Sequence, residues 1–108
     1  MKRSRRRYLL FQLHSVGQIV SGKHLSMTLW KSLLSLYGEI HAADSKMYLL
    51  DFNENTGVGV LHCSASSLQQ IITAAVLVNA IEQTSVSFEP KRTSGTIKGL
   101  NHRVPKRE

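Results

Sequence analysis

The chain has 108 residues, one cysteine and a formal net charge of +7, and 42 % of its residues are hydrophobic. This length favours one domain with a single core, and the hydrophobic content excludes a disordered tail. No apolar run reaches the ~18 to 20 residues of a transmembrane helix, and one cysteine excludes an internal disulfide and a zinc site built from thiolates. We expect a soluble intracellular protein that binds no membrane.

Apolar periodicity predicts four strands and two helices in the order βαββαβ. The predicted elements are a strand at 8–13, a helix at 23–37 that ends at Gly38, a hairpin with strands at 48–52 and 58–63, a helix at 66–82 and a strand at 85–88 that stops at Pro90. Connections that do not cross predict an α/β fold of the ferredoxin-like type, an antiparallel sheet with two helices on one face.

Three local patterns support these elements. The apolar run at 8–13 favours a central strand buried on both faces, and the segment 53–57, NENTG, favours a reversal of the chain. Ser66 and Gln69 have the spacing of a capping box. We therefore expect one domain at 8–100.

Basic residues are concentrated at the two ends of the chain, as a tail at 1–7 and a short tail at 101–108 beside the domain. Residues 1–8 carry five cations and no acid, and residues 91–108 carry six cations and one acid, so each end has a net charge of +5. The middle has three lysines and six acids. This distribution predicts that a polyanion binds through the ends and leaves the body free for another partner.

The first predicted helix carries a second apolar stripe. Met27, Trp30 and Leu34 lie beside the main stripe, so the helix is apolar on more than the usual face. A wide core face accounts for this pattern, and so does a protein interface to which Trp30 contributes.

Residue types that carry catalysis are scattered. The five histidines lie on different predicted elements, the acids form no cluster, and there is neither a Gly-x-Ser-x-Gly motif nor a glycine-rich nucleotide loop. We expect Cys63 to be buried and the neighbouring His62 to be partly exposed. The pattern predicts a chain that is itself not catalytic, with no catalytic residue, no metal site and no bound cofactor.

Binding of RNA fits the charges, because arginine and lysine contact phosphates without any catalytic residue. In the second basic segment, Gly95 permits a turn that exposes backbone amides as a phosphate cradle, although an ordinary turn before an edge strand needs the same glycine. The candidate RNA contacts are Arg3, Arg5, Arg6, Arg7, Lys91, Arg92, Ser94, Gly95, Thr96 and Lys98. Base stacking is not expected, because the aromatic residues of the strands lack the usual motif.

Four segments together resemble a known family. RRRYLLFQL at 5–13, LYGEIHAA at 36–43, LLDFNENTGVGVLHC at 49–63 and SGTIK at 94–98 are similar, in this order, to the archaeal and eukaryotic ribonuclease P protein component 2 family, and to the related fourteen-kilodalton subunit. The similarity spans residues 5–100, nearly the whole predicted fold.

The resemblance implies a ferredoxin-like or RRM-like sandwich and a subunit of the ribonucleoprotein that removes 5′ leaders from precursor tRNA. In that endonuclease complex the catalyst is RNA with bound Mg²⁺, and the protein pairs with ribonuclease P protein component 3. The resemblance makes the helices, with Trp30 or Leu34, the candidates for this pairing. The implied partners are ribonuclease P RNA, component 3 and other ribonuclease P proteins, and indirectly precursor tRNA. The family often has basic residues where this chain reads Ser64-Ala65-Ser66-Ser67. The implied location is the cytoplasm for an archaeal protein and the nucleus or nucleolus for a eukaryotic one.

Two other functions remain open. A ferredoxin-like protein-interaction or ligand-sensing module would have separate basic tails and a closed apolar pocket, whereas RNA binding requires the two basic segments to meet on one surface. If the chain is such a module, the arginines at its start are a solvated tail or a localisation signal. An autonomous nuclease would need clustered acids for Mg²⁺, and the sequence offers none.

Overall fold

A computed structural model of the chain describes residues 5–97. The elements follow in the order β1 (Arg6–Ser15), α1 (Gly22–Ser45), β2 (Tyr48–Phe52), β3 (Val58–Ser64), a 3₁₀ turn (Ala65–Ser67), α2 (Leu68–Val76), β4 (Ala80–Ile81) and β5 (Thr84–Ser94). The sheet has the strand order β2-β3-β1-β5-β4, and every pairing is antiparallel. The predicted ferredoxin-like, two-layer α/β fold is confirmed, with β4 as an additional short strand. Arg3, Lys98 and the predicted tail at 101–108 lie outside the described residues.

β1 occupies the centre of the sheet because it is apolar on both faces. Each of residues 8–11 is at most 6 % exposed. Leu9 and Phe11 join the main core with the helices, while Tyr8 and Leu10 form a second cluster on the opposite face. The predicted central strand is thus confirmed, and we call the face that the helices do not cover the open face.

The chain reversal between β2 and β3 is held by side-chain and backbone hydrogen bonds. The Asn53 side-chain oxygen accepts from the amides of Asn55, at 2.9 Å, and Thr56, at 3.2 Å. Gly57 has a φ of 80°, and a Cβ there would overlap the carbonyl oxygen of Leu13. This position therefore requires glycine for both its backbone angle and its space.

Gly38 divides α1 into two helical segments that meet at a kink. The residue has φ 88° and ψ 170°, and a further helical segment continues to Ser45. Ala42 in that segment is fully buried in the core, and Lys46, with a φ of 51°, caps the helix end. The predicted end of the helix at Gly38 is thus confirmed as a break, and burial of Ala42 stabilises the second segment, which the sequence did not predict.

The second helix is shorter than its apolar period predicts. α2 ends at Val76, and Ile81 is buried from a strand, so the predicted helix to residue 82 was wrong. Glu82 and Gln83 join β4 to β5 with φ values of 50° and 69°. Two positive φ angles between paired strands are typical of a type I′ turn, for which Glu-Gln gives no sequence signal.

The start of α2 also differs in detail from the prediction. Ser67 precedes the helix and makes no side-chain cap bond, so a capping box from Ser66 and Gln69 is not formed. Ser67 instead hydrogen-bonds the Ser64 hydroxyl at 3.3 Å, and both side chains are buried.

β5 continues through Pro90 to Ser94, so the predicted stop at the proline was wrong. Pro90 pairs with Phe11 and Arg92 with Leu10, which leaves Lys91 as the extra residue of a bulge. A bulge removes the ladder hydrogen bond that proline cannot donate, and the strand can then resume. The continuation carries the second basic segment alongside β1.

Candidate nucleic-acid interface

The two basic segments meet at one end of the sheet. Tyr8 pairs with Ser94, Leu9 with Thr93 and Leu10 with Arg92. Because β1 and β5 are antiparallel, the start of β1 lies beside the end of β5. We call this end, formed by residues 5–7 and 91–96, the basic end. Its two parts converge as RNA binding requires and do not form separate tails.

Arg6 lies at the basic end on the open face. Its guanidinium donates to the Tyr8 hydroxyl at 3.5 Å, and its side chain is exposed. This hydrogen bond raises the pKa of Arg6, and the Tyr48 hydroxyl contributes in the same direction. The Arg6 charge therefore lies beside the tyrosines of the open face.

Arg7 lies on the other face and is half-buried. Its Nη1 donates to the Arg6 carbonyl at 3.0 Å and lies 3.3 Å from the position that a Cβ on Gly95 would occupy. Arg7 thus packs against the end of β5 and ties the two basic segments together. We expect it to contribute less to ligand contact than its exposed neighbours.

Arg5 is anchored through its backbone. Its carbonyl accepts from the amide of Ala65 at 2.8 Å, which places the turn before α2 at the basic end. The Arg5 side chain remains exposed. Because Ser64 and Ser67 are buried, this region offers Ser66 as its exposed hydroxyl.

The cations of β5 differ in their availability. Lys91 Nζ lies 3.4 Å from Glu89, whose other carboxylate oxygen lies 2.8 Å from His14. The hydrogen bond with His14 lowers the pKa of Glu89 most, and Lys91 lowers it further. The carboxylate therefore stays charged and neutralises part of the positive charge of Lys91. Arg92 is exposed, and no ion pair within residues 5–97 involves it. Arg92 is therefore the stronger candidate of the two.

The segment Ser94-Gly95-Thr96 forms a turn at the end of β5. The Thr96 amide donates to the Ser94 hydroxyl at 3.1 Å, and Gly95 has no positive φ. One of the amides that a phosphate cradle would present is therefore already bonded, which favours the ordinary turn.

A column of aromatic rings crosses the open face next to the basic end. Tyr48 of β2 stacks on His62 of β3 with 4.6 Å between ring centroids and 24° between planes. His62 meets Tyr8 of β1 edge-on at 5.4 Å. Sequence reasoning missed this column because only the strand register puts the three rings side by side, whereas Phe11 and Phe52 point to the core.

His62 and Cys63 point to opposite faces of β3. His62 Nδ1 lies 3.1 Å from the Lys46 carbonyl oxygen, so this nitrogen carries the hydrogen of the bond. Cys63 is fully buried, and burial raises the pKa of its thiol to about 11 although the charge of Arg7 opposes this shift. The expectation of a buried cysteine beside a partly exposed histidine is confirmed.

The candidate protein contacts on α1 have different environments. Trp30 is 36 % exposed and lines an apolar groove of about 320 Å³ together with Met27, Met47 and Tyr48. Leu34 is half-buried and packs against the main core. Trp30 therefore remains a candidate for protein contact at the surface, whereas Leu34 belongs to the wide apolar face that packs on the core.

Within residues 5–97, no three histidine, cysteine or acidic side chains are placed to hold a metal ion. No helix in the same range is long and apolar enough to cross a membrane.

The fold and its basic end define a small ferredoxin-like α/β protein with cations gathered beside its open face. The chain belongs to the Rpp14/Pop5 family, whose model matches residues 7–104. It is 28 % identical over 101 residues to the Ribonuclease P protein component 2 of Pyrococcus furiosus and 29 % identical over 101 residues to that of Pyrococcus horikoshii. In both comparisons the match covers 94 % of this chain and 83 % of the relative. The family that the sequence resembles is thereby confirmed.

A solved structure shares the fold. A chain of a cryo-EM structure of yeast ribonuclease MRP superposes with a TM-score of 0.69 at 10 % identity, covering 89 % of this chain and 78 % of that chain. At this identity the likeness shows the fold alone.

Proposed function

We propose that this chain is a non-catalytic protein subunit of ribonuclease P that binds and stabilises the catalytic RNA for removal of 5′ leaders from precursor tRNA. The observation that carries the proposal is the convergence of the two basic segments at the basic end, in a chain whose relatives are named Ribonuclease P protein component 2. Arginines neutralise phosphates whatever the base sequence, which suits the positioning of a protein on a folded RNA.

The proposal divides the surface between two kinds of partner. Arg5, Arg6 and Arg92 are exposed at the basic end and contact RNA phosphates. The groove that contains Trp30 binds a protein, for which ribonuclease P protein component 3 is the candidate. Mg²⁺ belongs to the catalytic RNA, precursor tRNA is reached indirectly, and the complex acts in the cytoplasm if the source is archaeal.

The test is binding of the purified full chain to ribonuclease P RNA across a salt series, without and then with component 3. We compare wild type with R6A/R92A, which removes two exposed cations from the basic end. Each lost phosphate contact reduces the slope of log K against log[salt] by ~0.7 to 0.9, so the variant's slope should be flatter by about 1.4 to 1.8.

K23A/K31A is the charge-matched control, measured without component 3 because Lys31 lines the Trp30 groove. It also removes two exposed cations, but from α1. It should keep the wild-type slope. Equal slopes for wild type and R6A/R92A, or equal flattening in both variants, would contradict RNA contact at the basic end. Binding of component 3 by a wild type that binds no RNA would favour the protein-interaction module.

A further inference from the structure

We propose that the open face carries a stacking site for an unpaired nucleobase, formed by the rings of Tyr48 and His62 with Arg6 beside them to hold the adjoining phosphate. The proposal rests on the proposed function, since it names the part of an RNA that this face recognises. It also revises the sequence-based expectation that base stacking plays no role.

The rings are already arranged as a stack. Tyr48 and His62 are nearly parallel at 4.6 Å, and Tyr8 closes the inner end of the column at 5.4 Å from His62. Tyr8 is buried, whereas Tyr48 stands on the edge strand β2 and is 50 % exposed. The inner end of the column is therefore buried and its outer ring, Tyr48, is accessible. A further flat ring can stack on Tyr48.

Hydrogen bonds hold the two inner rings of the column, His62 and Tyr8, before any ligand arrives, and Tyr48 packs on His62. His62 Nδ1 bonds the Lys46 carbonyl at 3.1 Å, and the Tyr8 hydroxyl accepts from Arg6 at 3.5 Å. Restraint of the rings reduces the entropy that binding would otherwise cost. A bound base would thus meet rings with defined orientations.

The charges on this face fit a strand of RNA. Arg6 and Arg92 lie on β1 and β5 beside the cluster of Tyr8 and Leu10 that borders the rings. Two acids share this face farther from Arg6: Glu89 of β5, opposite Gln12 and already contacted by His14 and Lys91, and the exposed Asp51 of β2, opposite Val60. Cations are therefore next to the rings, as required by a ligand that presents a base and a phosphate together.

The stacking and phosphate contributions can be separated by their salt dependence. Removal of a stacking ring weakens binding at every salt concentration without changing the slope, whereas removal of a cation changes the slope. The probe is a single-stranded RNA of about 12 nucleotides with mixed sequence, compared with an abasic strand of equal length. The protein is the full chain as wild type, Y48A, Y48F and R6A.

Y48A should bind the RNA strand about 5- to 150-fold more weakly than wild type with an unchanged salt slope, because one stacked base contributes about 1 to 3 kcal/mol. Y48F keeps the ring and should bind within about threefold of wild type. All variants except R6A should bind the abasic strand as wild type does. H62A should repeat the loss seen with Y48A, which guards against an effect peculiar to one substitution.

Several outcomes would overturn the site. Equal binding of the RNA strand by Y48A and Y48F would do so, as would an equal loss by Y48A on the abasic strand. The site would also be refuted if the wild type binds ribonuclease P RNA but does not bind the 12-nucleotide strand. If Y48A instead loses component 3 and keeps the RNA strand, the ring belongs to the Trp30 groove and the proposal fails. Failure of the proposed function is distinct, because wild type would then bind ribonuclease P RNA with no slope change in R6A/R92A.

Discussion

Gly57 should be the glycine that tolerates alanine least among those with a left-handed backbone in residues 5–97. Its φ is 80°, and alanine in that region costs about 1 to 2 kcal/mol. The new Cβ would also overlap the Leu13 carbonyl oxygen. Relief requires the loop to move away from β1, which breaks the 2.7 Å hydrogen bond from the Leu13 amide to the Gly57 carbonyl. Loss of a buried backbone bond costs about 1 to 2 kcal/mol more.

Gly57→Ala should therefore reduce the free energy of unfolding by about 3 kcal/mol. Gly17→Ala is the matched control, because Gly17 has a φ of 93° and nothing lies within 4 Å of its Cβ position. The control should lose only the backbone contribution of about 1 to 2 kcal/mol. Urea unfolding followed by circular dichroism measures both values.

The reasoning would be refuted if the two variants lost the same stability. A second result links this prediction to function. Gly57 lies in the loop at the end of the sheet opposite the basic end, so Gly57→Ala should keep the wild-type salt slope for RNA. It thereby serves as a destabilised control for the arginine variants.

Three further predictions follow from buried, strained and titrating residues. Cys63 is buried, and its pKa is raised to about 11. A thiol reagent at about pH 8 should therefore label the folded protein at least about a hundredfold more slowly than the urea-unfolded chain. Fast labelling of the folded protein would contradict this expectation. E82N/Q83G places residues that accept φ values of 50° and 69° in the β4–β5 turn. The variant should raise the midpoint of thermal unfolding by about 2 to 8 °C. An unchanged or lower midpoint would contradict the assignment of a type I′ turn. Hydrogen bonding by His14 lowers the pKa of Glu89 below its ordinary 4.5, and a lowered pKa means that its stabilisation is present above that pH and is lost as the pH falls through the folded value. The stability advantage of wild type over E89Q in urea unfolding should consequently shrink below about pH 4.5, and a constant difference would exclude this linkage.

Part of the interface followed from composition alone. Arginine density before an apolar run identified residues 5–7 as candidates, and their position at the start of a central strand was predictable because the run at 8–13 is apolar on both sides. The second basic segment was recognisable by its charge. Its distance from the first was not, since this depends on whether β5 ends at Pro90 or continues to Ser94.

The aromatic column shows what local patterns leave undecided. Tyr8, Tyr48 and His62 are far apart along the chain, and alternation says only that each lies on one face of its own strand. A shift of one residue in either pairing would turn a ring to the other face. The bulge that offsets β2 against β3 between Leu49 and Asp51 is a further feature without a sequence signal.

By itself, the sequence determined the order of the main strands and helices, the central strand, the hairpin at 53–57 and the presence of two basic segments. These features depend on apolar period, turn chemistry and charge, which act over a few neighbouring residues. Only the tertiary structure decided the continuation of α1 past Gly38, the early end of α2, the passage of β5 through Pro90 and the meeting of rings and cations beside the open face. Each of these depends on burial or strand register between distant segments, whose contributions exceed the local preferences of the residues involved.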